Sequence, residues 1–282
     1  MPLPTLRRLK FSLDAGVARV VIDNPPVNVL DGALAEELIA VLDALRDAAD
    51  VRVILFESAN EDFFIAHVDM TLIDEPTAFD DLARRLPSAA NPFQAIVLRL
   101  QQQPQVTIVK LVGKARGGGA EFVAAVDMSF AALETAGLGQ IEALMGIIPG
   151  GAGTQLLAER TTRGRALEVV LGADLIDAST AERYGWINRA LPSAQLDDFV
   201  DRLARNIASL PDGVIAAAKD ALPPKDLSEG LQREHEAWAG LFARPAAEQL
   251  IRRGLEVGAQ TPDGERNLEE LLRGLWDRLR KR

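Results

Sequence analysis

Cysteine is absent from this chain of 282 residues, and histidine occurs only twice, as His67 and His235. Disulfide bonds, thiolate metal sites and a cysteine nucleophile are therefore excluded, and two histidines are too few for a histidine-rich metal centre. Positive charge is also scarce, since 31 Lys and Arg residues stand against 41 Asp and Glu residues, for a net charge of −10. We therefore expect no nucleic-acid partner and no membrane partner, because phosphate-rich surfaces bind clustered positive charge.

Membrane-length apolar runs and several familiar catalytic signatures are missing as well. One long uncharged stretch, residues 143–158, contains Pro149 and four glycines, and it falls short of the ~20 apolar residues that a spanning helix needs. The N-terminus has basic residues without an apolar segment behind them, so we expect a soluble, cytoplasmic protein. Neither GxSxG nor GxxxxGK[ST] occurs, so the sequence does not support a Ser-His-Asp hydrolase or a P-loop NTPase.

What the sequence does contain is an alternation of strand and helix patterns. Apolar and β-branched runs predict strands, and an apolar stripe that follows Asp31, a residue able to cap a helix, predicts the first helix. Such alternation is typical of a layered α/β domain. The predicted strands are residues 17–23, 51–56, 106–112 and 126–132, residues 120–125 are predicted to be helical, and residues 74–92 are interpreted as a mobile loop with a short helix.

The composition changes near residue 197, after which strand patterns vanish. The remaining residues predict helices broken at Pro211, at Pro223-Pro224, at Pro245 and at a turn formed by Pro262-Asp263-Gly264. The last stretch, residues 267–282, carries leucines on one face and charges on the other, as an amphipathic helix does. We therefore divide the chain into a core, residues 1–196, and a helical C-terminal region, residues 197–282, whose apolar stripes we expect to serve oligomerisation.

Three segments combine residue types that could carry chemistry. Residues 62–70 include His67, residues 113–121 include three consecutive glycines and Glu121, and residues 139–155 include Glu142. Glycines before a helix can aim backbone amides at developing negative charge, and two glutamates can exchange protons with water and with carbon. The alternative is structural, since glycine runs are often tight connections and isolated glutamates are often solvated.

These segments, taken in order, resemble the crotonase (enoyl-CoA hydratase/isomerase) family between residues 17 and 192. The resemblance is carried by five stretches together. It implies an α/β protein with the crotonase fold of repeated ββα units, followed by a helical C-terminal region that assembles trimers or pairs of trimers. The five stretches are residues 24–30, 64–70, 117–127, 139–155 and 172–188.

The resemblance also implies an activity and a set of site residues. The backbone amides of Val68 and Gly118 would polarise the carbonyl of an acyl-CoA thioester. Glu142 would exchange the proton at the α-carbon, and Glu121 together with Glu142 would position the water that attacks the β-carbon. Substrate would also contact Ala66, His67, Gly117 and Gly150, with no metal and no cofactor besides the CoA of the substrate.

The family resemblance leaves more than one function open. Retention of both glutamates favours an enoyl-CoA hydratase, a lyase of fatty acid metabolism, acting as a homotrimer or hexamer. An enoyl-CoA isomerase, or a non-catalytic acyl-CoA-binding or structural protein, is the alternative. The acyl chain would be selected by the variable residues 72–95 and by the shape of the pocket.

Two residues depart from the family pattern near the site. His67 stands where a glycine is usual, and it would either pack beside the oxyanion site, which we favour, or touch substrate or a catalytic acid. Arg116 stands where an apolar residue is usual, and a structural ion pair is favoured over recognition of a substrate carboxylate. Asp69 is expected to brace the following turn, and His235 to lie at the surface or an interface. The tail resembles the family poorly from about Phe242 onward.

Overall fold

Two β-sheets form the framework in the computed structural model, which describes residues 5–75, 82 and 91–280. The strands are β1 (Leu9–Asp14), β2 (Val17–Ile22), β3 (Val53–Ser58), β4 (Phe63–Ile65), β5 (Val106–Leu111), β6 (Lys114–Arg116), β7 (Met128–Ala132), β8 (Gly137–Gly139), β9 (Ile176–Asp177) and β10 (Arg189–Leu191). The large sheet has the order β1-β2-β3-β5-β7-β10 and is parallel except for β1, which pairs antiparallel with β2. The small sheet has the order β4-β6-β8-β9, in which β9 alone runs antiparallel.

Helices cover the sheets and form the C-terminal region. They are α1 (Gly32–Arg46), α2 (Pro92–Gln101), α3 (Gly118–Ala125), α4 (Gly153–Arg160), α5 (Arg163–Gly172), α6 (Ala178–Tyr184), α7 (Ser193–Ala208), α8 (Val214–Ala221), α9 (Ser228–Phe242), α10 (Pro245–Glu256), α11 (Pro262–Arg266) and α12 (Leu268–Arg280). Two short 3₁₀-helices, Met70–Asp74 and Glu142–Met145, complete the list for the described residues.

Successive strands alternate between the two sheets. β3, β5 and β7 each join the large sheet, and the strand that follows each of them, β4, β6 or β8, joins the small one. The α/β class and the repeated ββα arrangement predicted from the sequence are thus confirmed. Because β4, β6 and β8 are parallel neighbours, the segments that leave their carboxyl ends emerge on one side of the small sheet. Residues 66–70, 117–121 and 140–145 are brought together in this way.

Local signals account for many of the element boundaries. The Asp31 side chain caps α1 by accepting the Leu34 N–H at 2.7 Å, as the sequence predicts. The four predicted strands correspond to β2, β3, β5 and β7 with ends shifted by at most two residues. Neither β1 nor the short strands of the small sheet were predicted. The short strands have two or three residues, which carry too little alternation to be recognised. β1 has six residues, and the alternation of Leu9, Phe11 and Leu13 with polar residues could have identified it.

The C-terminal helices begin or end close to the prolines at which breaks were predicted. These helices pack on the core of their own chain, whereas their apolar faces were expected from the sequence to serve oligomerisation. Pro245 and Pro262 each occupy the first residue of a helix, where a missing N–H costs nothing. The turn predicted at residues 262–264 is wrong, because these residues form the start of α11, which the Thr261 side chain caps. The predicted domain boundary between residues 196 and 197 falls inside α7, whose apolar face packs on the large sheet. α7 therefore belongs structurally to the core.

The amphipathic helix predicted for residues 267–282 is α12, which begins at Leu268. Its leucines pack with α10 and with the 3₁₀-helix Glu142–Met145, and they bury one side of the core. The buried leucines of this face are Leu268, Leu272 and Leu275. Whether the C-terminal region also joins subunits stays a prediction.

Two further predictions concern the loop between residues 74 and 92 and the absence of a membrane-spanning helix. Residues 76–81 and 83–90, which include most of the predicted mobile loop and of the stretch expected to select the acyl chain, lie outside the described residues. Among the described helices, none combines the length and apolar character needed to cross a bilayer.

Candidate active site

A cavity of about 200 Å³ lies where the carboxyl ends of the small sheet meet the C-terminal helices. Its wall is mostly apolar, and it includes two buried carboxylic residues, Glu121 and Glu142, besides the more exposed Asp69 and Glu75. Side chains from α9 and α10 close the opposite side. The apolar lining comprises Val68, Met70, Leu72, Ile73, Phe93, Ile141, Met145, Ile147, Trp238, Phe242 and Ile251.

Two consecutive glycines bring the start of α3 against its neighbours. Gly117 adopts φ +48°, and a Cβ at this position would lie 2.7 Å from Glu142 Oε1. A Cβ on Gly118 would lie 2.7 Å from Val68 Cγ2. Any side chain here would force apart the segments that carry the two predicted oxyanion amides, so the close approach requires glycine.

The Val68 amide is oriented by an isolated parallel bridge to Leu30. The Leu30 N–H donates to the His67 carbonyl at 2.8 Å, and the Asp69 N–H donates to the Leu30 carbonyl at 3.1 Å. Because these bonds use the residues on either side of Val68, the Val68 N–H points away from Leu30. In the described part of the chain, neither the Val68 N–H nor the Gly118 N–H donates to a protein acceptor, so both amides remain available to an oxyanion.

Glu121 lies on the first turn of α3 and is almost fully buried. Its Oε1 accepts the N–H groups of Gly151 (2.8 Å) and Gly153 (2.9 Å), which orients the carboxyl group. Burial, followed by the nearby negative charges of Glu142 and Glu234, raises its pKa well above the ordinary value despite these two hydrogen bonds. Among the described residues, Oε2 accepts no hydrogen bond from the protein, which leaves it free to bind water.

Glu142 begins the second 3₁₀-helix and is 8% exposed. Burial raises its pKa to about 7, against the opposing effects of its own backbone N–H and of the His67 charge. The Gln140 amide, turned so that its nitrogen faces the carboxylate, donates to Oε2 at 3.0 Å and Oε1 at 3.2 Å. A carboxyl group that titrates near neutral pH can both give and accept a proton.

Glu234, on α9, is a third buried carboxyl group close to Glu121 and Glu142. It was not identified as a site residue from the sequence. It accepts the N–H of Ala152 at 2.6 Å, and its second oxygen accepts both the N–H and the hydroxyl of Thr154. Burial raises its pKa despite these bonds. Its charge in turn raises the pKa values of Glu121 and Glu142. Glu234 therefore contributes to the electrostatics of the cavity without lining it.

Trp238, one turn further along α9, closes the cavity over the backbone of Gly150. A Cβ on Gly150 would lie 2.8 Å from Trp238 Cδ1, and the indole stacks on Phe242 with ring centroids 4.9 Å apart. His235 stacks on the other side of the indole and bonds to the Asn91 side chain. His235 is half-buried within this chain, and its expected place at the surface or an interface stays a prediction.

The two departures from the family pattern are both engaged with the C-terminal region. Arg116 is fully buried and forms ion pairs with Glu265 and Glu269, so the predicted structural ion pair is confirmed. His67 Nε2 lies 2.9 Å from Glu265 Oε1, and the His67 ring also lines the cavity. Asp69 braces the following turn by accepting the Thr71 N–H at 2.9 Å, as predicted.

The structure brings most of the predicted site residues to this cavity. Val68, His67, Glu121, Glu142 and Gly150 line it. Gly118 lines an adjoining space of about 10 Å³ that shares Glu121 with the cavity, and Gly117 lies beneath Glu142. Ala66 is fully buried and packs with Val27 and Phe63, away from the lining.

Comparison with known proteins shows similarity over most of the chain. Residues 12–260 match the family model described as enoyl-CoA hydratase/isomerase. The sequence is 31% identical over 223 residues to the mitochondrial methylglutaconyl-CoA hydratase of Homo sapiens, a match that covers 75% of this chain and 63% of the human protein. It is 30% identical over 218 residues to a probable enoyl-CoA hydratase of Bacillus subtilis, covering 77% of this chain and 82% of that protein. The match thus spans less than two thirds of the human relative.

Solved structures extend the similarity to the fold. A candidate enoyl-CoA hydratase from Streptomyces avermitilis superposes with a TM-score of 0.95 and 61% identity, covering 97% of this chain and 100% of that one. The enoyl-CoA hydratase of Bacillus anthracis gives a TM-score of 0.69 at 28% identity, covering 89% and 95%. The first match includes the C-terminal helices that close the cavity.

Proposed function

The chain belongs to the enoyl-CoA hydratase/isomerase family, and on that premise we propose that it is a lyase that adds water across the double bond of a 2-enoyl-CoA thioester. One observation carries the proposal. Two buried carboxyl groups, those of Glu121 and Glu142, face a single apolar cavity beside the unpaired amides of Val68 and Gly118. This combination supplies what hydration through an enolate requires.

The first requirement is stabilisation of negative charge on the thioester oxygen. The N–H groups of Val68 and Gly118 would donate to this oxygen, which becomes an enolate oxygen when water attacks the β-carbon. Removing one such donor typically costs ~10²–10³-fold in rate. The apolar wall strengthens both hydrogen bonds, since few other dipoles screen them.

The second requirement is balanced proton transfer. Glu121 Oε2 would accept a proton from the attacking water as its oxygen bonds to the β-carbon, and Glu142 would give its proton to the α-carbon. Water loses one O–H bond and the substrate loses its C=C π bond, while one C–O and one C–H bond form. The proton that Glu142 gives is matched by the one that Glu121 accepts, so the pair holds one proton before and after the reaction. Return of that proton from Glu121 to Glu142 through solvent restores the enzyme.

The arrangement of Glu121 supports hydration over isomerisation. Moving a double bond needs one carboxyl group to carry a proton between two carbons, which Glu142 alone could do. Glu121 is held by two backbone amides and leaves one oxygen unbonded, as a group that positions water would be. Only protons and water change places in this reaction, so we propose no cofactor beyond the CoA of the substrate and no metal.

We further propose that the protein acts as a homotrimer or hexamer. Leu171 on α5 is 65% exposed, and Leu167 one turn away is 39% exposed. Burying such side chains between subunits would gain roughly 25 cal/mol per Å² of apolar surface. Light scattering of the purified protein at several concentrations measures the mass, and a monomer would overturn this part of the proposal.

The activity is tested with crotonyl-CoA and a series of longer 2-enoyl-CoA thioesters. Hydration removes the absorbance of the conjugated thioester, and we expect Glu121→Gln and Glu142→Gln to slow this loss by ~10²–10⁴-fold while thioester binding persists. Glu248→Gln is the matched control, because Glu248 is exposed and, among the residues that the structure describes, forms an ion pair with Arg252 alone. A 3-enoyl-CoA substrate is run in parallel. Gain of absorbance from it, without hydration of any 2-enoyl-CoA, would replace the hydratase with an isomerase, and binding without either reaction would indicate a non-catalytic protein.

A further inference from the structure

Four charged side chains form a buried cluster that the proposed reaction does not use. His67 is 2% exposed, and both Arg116 and Glu265 are 0% exposed. Arg116 Nε lies 2.6 Å from Glu269 Oε1, and its Nη1 lies 3.3 Å from Glu265 Oε2. His67 belongs to the core loop that carries Val68, whereas the two glutamates belong to α11 and α12. The ion pairs of this cluster therefore link α11 and α12 to the loop that carries Val68.

The hydrogen bonds of His67 define its protonation state. Its Nε2 lies 2.9 Å from Glu265 Oε1, and its Nδ1 lies 2.7 Å from the Val68 carbonyl oxygen. A neutral imidazole has one donor and one acceptor nitrogen. The Val68 carbonyl can only accept, and Glu265 only accepts when it is ionised, so both ring nitrogens carry protons if Glu265 holds its charge.

Glu265 is held in its ionised form by donors on its other sides. The Gln260 N–H donates to Oε1 at 2.8 Å, and Arg116 contacts Oε2 and donates to the Glu265 carbonyl. Burial raises the pKa of Glu265, but His67, the Gln260 bond and Arg116 outweigh it and the net pKa is lowered. For His67, burial and Arg116 lower the pKa, whereas Glu265 and the Val68 carbonyl raise it, and the net pKa is raised.

The His67 imidazolium lies close to two parts of the proposed active site, the backbone at Val68 and the carboxyl group of Glu142. Its Nδ1–H donates to the Val68 carbonyl, which belongs to the peptide that follows Val68. The Val68 N–H belongs to the preceding peptide, whose His67 carbonyl accepts the Leu30 N–H. Together these bonds fix both peptides that flank Val68, and with them the direction of the Val68 N–H. His67 and Glu142 line the same cavity on either side of Gly117, where a Cβ would lie 2.7 Å from Glu142 Oε1 and 3.7 Å from His67 Cβ. At this short range the imidazolium charge lowers the pKa of Glu142 against the effects of burial and of Glu234.

We propose that His67 remains an imidazolium at neutral pH, maintained by Glu265 of the C-terminal region, and that it helps to hold the backbone at Val68 and sets the charge environment of Glu142. It is a positioning residue, since its contacts are with protein groups that would face substrate. The inference about its role rests on the proposed function, whereas its protonation state does not. α11, which does not line the cavity, thereby contributes to the active centre through the ion pair between His67 and Glu265.

The protonation state is measured directly, because the chain has only two histidines. In the full-length protein labelled with ¹⁵N-histidine, the ring nitrogens give two sets of NMR signals, which His235→Asn assigns. We expect both His67 nitrogens to stay protonated well above the ordinary imidazole pKa of ~6.5. A neutral tautomer at neutral pH in the unmodified protein would overturn the inference without reference to any variant.

The role is measured with three variants in the hydration assay. His67→Gln should lower kcat by less than the ~10²–10³-fold that loss of an oxyanion donor costs, leave KM nearly unchanged, and move the titration of Glu142 in kcat/KM to higher pH. Glu265→Gln should move the titration in the same direction and abolish the imidazolium signals at neutral pH. Glu269→Gln removes the other partner of Arg116 but no contact of His67, so it should leave the titration and the imidazolium in place.

The outcomes separate this inference from the proposed function. An unmodified protein that hydrates no 2-enoyl-CoA would overturn the function. An active protein in which His67→Gln keeps the kcat and the pH profile would overturn the positioning role alone. If Glu269→Gln shifted the titration as much as Glu265→Gln, loosening of the C-terminal helices would explain both effects, and the inference would fail.

Discussion

Glu121 and Glu234 bind alternate amides of one backbone segment. Glu121 accepts the N–H groups of Gly151 and Gly153, and Glu234 accepts those of Ala152 and Thr154. The segment leads into the N-terminus of α4, where the helix dipole favours negative charge. The carboxyl groups of Glu121 on α3 and Glu234 on α9 thus both bind this loop. The two bonds of Glu121 are made by Oε1, so Oε2 has no partner among the described residues.

Glu234→Gln tests whether this third carboxyl group tunes the other two. The substitution removes a negative charge that raises the pKa of Glu142, so the titration of Glu142 should move to lower pH, with a modest loss of kcat. The measurement is kcat/KM for crotonyl-CoA as a function of pH. Glu236→Gln, on the exposed face of the same helix, is the control and should leave the profile unchanged. An unmoved titration in Glu234→Gln would show that the charge is screened from the cavity.

Glu234 also shows where sequence reasoning stops. It lies in a charged stretch of α9, far along the chain from the glycine-rich segments, and no local motif marks it. A usable signal was its spacing: Glu234 shares a helical face with Leu231, three residues earlier, and Trp238, four residues later. A carboxylate on an apolar helical face must find donors when it is buried, and here the donors are backbone amides of the core.

Features that depend on residues close together in sequence were predictable, whereas contacts between distant residues were not. The Asp31 cap and the proline-initiated helices follow from interactions within a few residues, and the resemblance assigned Glu121, Glu142, Val68 and Gly118 from motif order. The pairing of His67 with Glu265 joins residues far apart in sequence, and only the packed fold defines it. The sequence marked His67 and Arg116 as unusual, but it did not indicate that both contact one glutamate.

The carboxyl pair predicts the shape of the pH profile. Because Glu121 and Glu142 must share one proton in the free enzyme for reaction in either direction, kcat/KM should be bell-shaped, with the same profile for hydration and dehydration. One limb should lie near pH 7, since burial raises the pKa of Glu142 to about 7. Glu121→Gln should retain only one limb in its residual activity. A profile without any titration near neutral pH would contradict the assignment of Glu142.

Trp238 predicts a change of acyl-chain preference. Its indole closes the cavity over Gly150, so Trp238→Ala should open space and raise the ratio of kcat/KM for a long 2-enoyl-CoA over crotonyl-CoA by about tenfold. Trp276→Phe is the matched control, because Trp276 lies in the same C-terminal region and bonds to the Leu144 carbonyl but does not line the cavity. An equal change in both variants would trace the effect to loosened helices.

Arg116 predicts a large stability difference between two arginines that both contact the C-terminal helices. Arg116→Met keeps most of the side-chain volume but leaves Glu265 and Glu269 without their shared partner, and breaking a buried ion pair costs about 3–5 kcal/mol. Arg252→Met removes an exposed arginine that pairs with Asp74 and Glu248, where an ion pair contributes about 0–1 kcal/mol. Urea denaturation of both variants measures the free energy of unfolding. Since His67 remains beside Glu265, Arg116→Met should lose stability while retaining the imidazolium signals of His67. Similar unfolding free energies for the two variants would mean that the buried cluster does not hold the C-terminal helices in place.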